Sequence, residues 1–117
     1  MDLSETLEAV REVDIETRDD NDVVRHTTIW PVVEAGKVYV RSLRGTDGRW
    51  YQAVSARPDT VLRVGGENLP VRVVPARDPE SIAQATAGYR RKYAGSPSLA
   101  TMIRDEILDS TLRLEPR

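Results

Sequence analysis

The sequence predicts a small antiparallel β-barrel with helices, an α+β fold, and three observations carry that prediction. Short β-branched runs recur along the chain and are joined by turn residues rather than by long crossovers. The pair Gly65-Gly66 stands between Val61–Val64 and Leu69–Val74, and paired glycines accept the positive φ of a tight hairpin. Strong helix signals gather late in the chain, after most of the strands, instead of alternating with them. The expected order is five strands with one short helix between the third and fourth, then a helical pair, then a sixth and last strand.

Taken in order, Leu3, Leu7 and Val10 recur at near-helical spacing and predict a short opening helix capped by Ser4. Val13, Ile15 and Thr17 alternate with Asp14, Glu16 and Arg18, the pattern of a half-buried strand. Asp19-Asp20-Asn21-Asp22 reads as a polar turn. Its carboxylates lack the ligand spacing and central glycine of a calcium loop, so a solvated turn is expected and no metal site. Val23 to Val33 reads as one extended strand, with Pro31 forcing an edge or bulge because proline cannot donate to a ladder. Glu34–Lys37 turns the chain into a third strand, Val38–Ser42. A helix opens on Trp50-Tyr51 and closes at Arg57-Pro58, since the residue before proline avoids the helical region. Asp78-Pro79-Glu80 starts the next helix with a cap, a first-turn proline and an acid at the positive dipole end. Ile82, Ala85, Tyr89 and Tyr93 form its apolar stripe, and Gly95 ends it. Ser96-Pro97 begins a second helix with Leu99, Met102, Ile103 and Ile107 inward, and Thr111–Leu114 is the last strand.

A chain of 117 residues argues for one domain, residues 1–117, with a modest core. No phenylalanine is present, so Val, Ile, Leu, Trp and Tyr must fill that core. A formal charge of −2 gives no electrostatic reason to expect nucleic acid as a partner. Absence of cysteine excludes disulfides, cysteine-ligated metals and thiol catalysis. No apolar run approaches the ~20 residues of a membrane span, and the acidic start lacks a signal peptide's basic flank, so a cytoplasmic location is expected. His26, the only histidine, is expected on a strand face with Thr28 and Trp30, packed or solvated rather than catalytic. Arg90-Arg91-Lys92 reads as a solvated helix face, and no nucleophile–base–acid set is visible.

The stretch that carries chemistry runs from Gly36 to Gly66. Arg41 and Arg44 leave the third strand, Gly45 sits in a basic glycine-rich loop, and Arg49 stands at the helix start. A helix N-terminus offers free N–H groups and a partial positive charge, and guanidinium forks add paired hydrogen bonds to phosphate or carboxylate. Ser42 adds a hydroxyl donor, and Trp50 or Tyr51 could stack on a ring. Arg41, Ser42, Arg44, Gly45, Arg49, Trp50 and Tyr51 are therefore the candidate site for a small anionic or aromatic ligand. The competing reading pairs the arginines with acids such as Asp47 and puts the aromatic pair in the core.

Val38–Ser42, Gly45, Trp50-Tyr51, Ala56 and Pro58 resemble the flavin- and deazaflavin-binding split β-barrels, in particular the nitroreductase-like branch. The motifs YVRS, GRW and Gly-Gly, the run Tyr89-Arg90-Arg91-Lys92-Tyr93 and the ending Thr111–Pro116 are similar to those of a family of short bacterial proteins of unknown function. The resemblance implies a six-stranded split barrel, a homodimer, and a cofactor cleft beside the third strand at the subunit interface. It also implies FMN or a deazaflavin as cofactor. The alternative is a module that kept the barrel, lost the redox cofactor, and binds a small ligand or a protein partner.

Overall fold

The computed structural model describes residues 2–117. Seven antiparallel strands form one sheet in the order β2-β1-β5-β6-β7-β4-β3, curled into a half-barrel. The strands are β1 (Val13–Arg18), β2 (Val24–Ile29), β3 (Val32–Glu34), β4 (Lys37–Val40), β5 (Asp59–Val64), β6 (Glu67–Pro75) and β7 (Leu112–Pro116). The helices are α1 (Leu3–Glu8), α2 (Arg49–Ala56), α3 (Pro79–Lys92) and α4 (Leu99–Met102), with 3-10 turns at Gly45–Asp47 and Asp105–Ser110.

Seven strands stand where six were expected, and Pro31 is the reason. With no N–H to donate and its φ fixed, it ends pairing with β1 at Ile29 and sends the chain into a new pairing with β4, Val32 against Tyr39. One expected strand thus becomes β2 at one edge of the sheet and β3 at the other. The Gly65-Gly66 hairpin forms as read: both glycines have positive φ, 56° and 87°, and Val64 pairs directly with Glu67. Glu67 and Asn68 belong to the ladder rather than to the turn.

Asp78 caps α3 by accepting the Ser81 N–H at 3.0 Å. At α1 the cap is Asp2, not Ser4: Asp2 Oδ1 accepts the Glu5 N–H at 2.9 Å, and the Ser4 hydroxyl supports that carboxylate at 2.7 Å. The second member of the expected helical pair is reduced to the single turn α4. Met102 O, which could have continued it, accepts from the Arg41 guanidinium at 3.0 Å, and Arg104 turns extended at ψ 149°.

Two apolar clusters share the sheet as a wall. Ile15, Val40, Val54, Leu62, Val71 and Leu112 are among those packed inside the curl. Tyr39, Ala85, Tyr89, Tyr93, Met102 and Ile107 fill the layer between the sheet and α3. Phenolic oxygens buried in that second layer need partners. Tyr89 Oη donates to Trp30 O at 2.7 Å and accepts the Arg41 N–H at 3.1 Å. Burial pushes the Tyr89 phenol well above its ordinary value.

The run Arg90-Arg91-Lys92 is not a uniformly solvated face. Arg91 binds Glu8 at 2.6 Å, and Lys92 Nζ donates to Leu7 O at 2.9 Å and Pro31 O at 2.7 Å, tying α1 and the Pro31 bend to α3. His26 is exposed beside its cross-strand partner Glu16 at 3.5 Å, while Trp30 lies beyond the strand's end. In the acidic turn, Asp19 Oδ1 accepts the N–H groups of Asn21 and Val23, and Asp22 pairs with Arg18 and Arg57.

Candidate functional site

A groove of about 750 Å³ opens between the end of β2 and the segment joining β4 to α2. One wall is Thr27, Thr28, Ile29 and Trp30, and the other is Ser42 to Arg44 with Gly48, Arg49 and Trp50. Glu12, Arg41 and Met102 complete the lining.

The basic wall is built by backbone turns. Gly45 N–H donates to Ser42 O at 2.9 Å and Gly48 N–H to Gly45 O at 3.2 Å, which reverses the chain between β4 and α2. Gly45 takes φ 62°, the left-handed region open to glycine, and a side chain there would press on Glu106 O at 3.3 Å. Gly48 begins α2 with no side-chain cap, and the first turn carries no acid. Arg49 occupies the first helical position, where a cation is disfavoured by the helix dipole. A cation kept at the positive end of a helix is a local conflict of the kind that marks binding sites.

Ser42 is 1% exposed; its N–H donates to Ser110 Oγ at 3.1 Å, and its own hydroxyl has no hydrogen-bond partner among the described residues. A Cβ on Gly48 would lie 2.3 Å from Ser42 Oγ, so glycine is what lets that hydroxyl pack against the start of α2. Arg44 and Arg49 are exposed and form no ion pair among the described residues. Asp47, their nearest acid in sequence, pairs with neither. These two guanidiniums, the N–H groups of α2 that no side chain caps and the Ser42 hydroxyl form a set of donors with no acceptor among the described residues. Half-buried Trp50 stands beside them, and Trp30 faces from the opposite wall.

Arg41, Gly45 and Tyr51 are placed differently from these. The Arg41 guanidinium is 2% exposed and binds only neutral oxygens: Thr111 Oγ1 at 2.9 Å, Met102 O at 3.0 Å, Ile82 O at 3.0 Å and Thr86 Oγ1 at 2.9 Å. Burial lowers its proton affinity below that of an ordinary arginine. Tyr51 packs inside the curl, and its hydroxyl accepts from Arg77 at 2.7 Å. Gly45 shapes the loop without lining the groove. The structure therefore brings Ser42, Arg44, Arg49 and Trp50 together at the groove, which Arg41 also lines. The opposite wall, Thr27 to Trp30 with Glu12, is absent from the sequence reading. Only the pairing of β1 with β2 and the bend at Pro31 place it there, and no local motif announces it.

Solved structures similar to this chain share the fold. ChuZ of Campylobacter jejuni superposes with a TM-score of 0.75 at 15% identity, over 98% of this chain and 51% of that one. An F420 reductase gives 0.61 at 16% identity, over 97% of this chain and 92% of that one. A pyridoxamine 5'-phosphate oxidase-related, FMN-binding protein of Nostoc punctiforme gives 0.55 at 13% identity, over 96% and 75%. Likeness at these identities establishes a split-barrel architecture. No functionally curated protein matches the chain. Residues 4–114 match the family described as uncharacterized protein conserved in bacteria (DUF2255), and to that family this chain belongs.

Proposed function

We propose that the groove binds a planar, phosphate-bearing redox cofactor, FMN or a deazaflavin. The observation that carries this reading is the set of unpaired donors on one wall: Arg44, Arg49, the Ser42 hydroxyl and the open N-terminus of α2. A phosphate supplies the acceptors this set lacks, and charge-assisted bonds to it are the stronger kind. Trp50 and Trp30 offer aromatic surface to a ring lying along the groove. The split-barrel likeness to an F420 reductase and an FMN-binding protein supports the same assignment. When bound, such a group supplies hydride transfer, and this chain's residues hold the phosphate, orient the ring and shield one face from water. A second copy of the chain closing the open side of the groove is part of the reading.

The non-redox reading draws on a specific observation too. Arg41 and Tyr51 are committed to internal partners, which leaves fewer groups for a large cofactor than the sequence offers. Titration of the purified protein with FMN and with a deazaflavin, followed by visible absorbance and fluorescence, separates the two. Saturable binding is expected, weakened about tenfold or more in Arg44→Ala and in Arg49→Ala, the loss of one charge-assisted contact each. Failure to bind either cofactor, with the wild-type protein folded, leaves the small-ligand module standing.

A further inference from the structure

A second cavity of about 150 Å³ shares Glu12 and Trp30 with the groove and is otherwise walled by Arg11, Tyr93, Ser96 and Ser98. Arg11 is held in place at two points. Tyr93 Oη donates to its backbone carbonyl, and its guanidinium carbon lies 4.8 Å above the Tyr93 ring centroid. A guanidinium held over an aromatic ring by cation–π attraction still has N–H groups to offer a planar acceptor. Among the described residues Arg11 has no ion pair, although Glu12 is its neighbour in the chain.

The remaining walls supply what a small ligand needs around such an anchor. Gly95, at φ 80°, turns the chain after α3 and sets Ser96 and Ser98 in the wall that Tyr93 shares. Ser96 Oγ accepts the Ser98 N–H at 3.2 Å, so its hydroxyl proton is left to donate elsewhere. Ser98 precedes α4 without capping it, and its hydroxyl is likewise uncommitted. Trp30 and Tyr93, with ring centroids 6.1 Å apart, give an aromatic side. Glu12 is the one carboxylate of the lining, an acceptor for a donor carried by the ligand and a repulsion against a bare anion.

We propose that this cavity is a binding site for a small planar carboxylic acid carrying an amino or hydroxyl donor, of the size and chemistry of an aminobenzoate. The carboxylate binds Arg11 with help from the Ser96 and Ser98 hydroxyls, the ring lies against Trp30, and the donor reaches Glu12. At about 150 Å³ against the groove's 750 Å³, the cavity suits one small ring rather than a nucleotide. Arg11, Tyr93, Ser96 and Ser98 belong to this cavity and not to the groove, while Glu12 and Trp30 line both.

The experiment is a titration of the wild-type chain with para-aminobenzoate and with benzoate, followed by amide and indole NMR shifts. Saturable shifts centred on Arg11, Trp30, Ser96 and Ser98 are expected, with a Kd of about 1 mM, the range open to a ligand of this size. Aminobenzoate binds more tightly than benzoate, and Glu12→Gln narrows that preference. Arg11→Met weakens aminobenzoate binding about tenfold or more, the loss of one charge-assisted contact, while FMN titration of the same variant is unchanged. Arg11 is exposed, so the variant is expected to fold, and Ser98→Ala serves as a milder second variant. Shifts centred on Arg44 and Arg49, no saturation by tens of millimolar, or wild-type affinity in Arg11→Met would each overturn the proposal. Loss of FMN binding alone leaves this site intact and strikes only the groove reading.

Discussion

Arg41 is a buried cation with no anionic partner among the described residues, held by four bonds to neutral oxygens from α3, α4 and the segment before β7. Charges are seldom buried without a counter-charge, because desolvation outweighs what neutral dipoles return unless the donors are nearly all satisfied. Here the planar fork meets acceptors along most of its edge, which lysine, with three donors on a point charge, cannot reproduce. Arg41→Met would leave Met102 O and Ile82 O buried without those partners. A loss of about 3 kcal/mol in urea unfolding is expected, with Arg41→Lys recovering only part of it. Equal stability of wild type and Arg41→Met would show that desolvation cancels the bonds. Its residue type resembles that of Arg44 in the sequence, yet the two do opposite things. One positions the loop from inside; the other is free at the groove.

Among the elements, α3 lies so near the sheet that its packing rests on one glycine. A Cβ on Gly88 would come within 2.9 Å of Val32 Cγ2 and 3.0 Å of Val32 Cβ. Alanine should gain helix propensity of about 1 kcal/mol there, against an overpacking cost of about 1–3 kcal/mol. Gly88→Ala is therefore expected to lower stability by about 1 kcal/mol, and a second change, Val32→Ala, to remove the Cγ2 clash while leaving the 3.0 Å approach to Cβ. A stabilised single variant in thermal melts would contradict the close approach. Elements set by local chemistry were legible from sequence alone: the Gly65-Gly66 hairpin by positive φ, and the start of α3 by the Asp78 cap. Elements decided by distant partners were not. Leu99 to Ile107 has a helical apolar pattern, but Arg41 takes the Met102 carbonyl and the chain leaves the helix. Similarly, Arg44, Arg49 and Trp50 could be read from one loop, whereas the wall from Thr27 to Trp30 depends on which strands pair.

For the whole molecule, stability should depend on alkaline pH through the α1–α3 junction. Burial lowers the Lys92 pKa to about 8 and raises that of Tyr93 to about 12. Between about pH 8 and the ordinary lysine range the unfolded chain holds more protons at Lys92, so folding stability rises with pH there and is lost as pH falls through about 8. Above the ordinary tyrosine value near 10 the folded state keeps the Tyr93 and Tyr89 protons that the unfolded chain releases, so stability then falls, and it goes on falling past the Tyr93 titration near 12 because the more deeply buried Tyr89 is still protonated. Denaturant midpoints across pH 7–12 should show a rise followed by a decline, and Lys92→Met should abolish the rise while leaving the decline. A monotonic profile in the wild-type chain would remove Lys92 from this account. The same junction contains Pro31, whose carbonyl Lys92 holds. Only Trp30 and Pro31 separate β2 from β3, the two outermost strands of the sheet. The polypeptide thus works as a hoop, fastening one margin of the sheet to the other through covalent bonds instead of a ladder. Cutting or lengthening the chain at that clasp would free both margins at once, and with them the mouth that lies between.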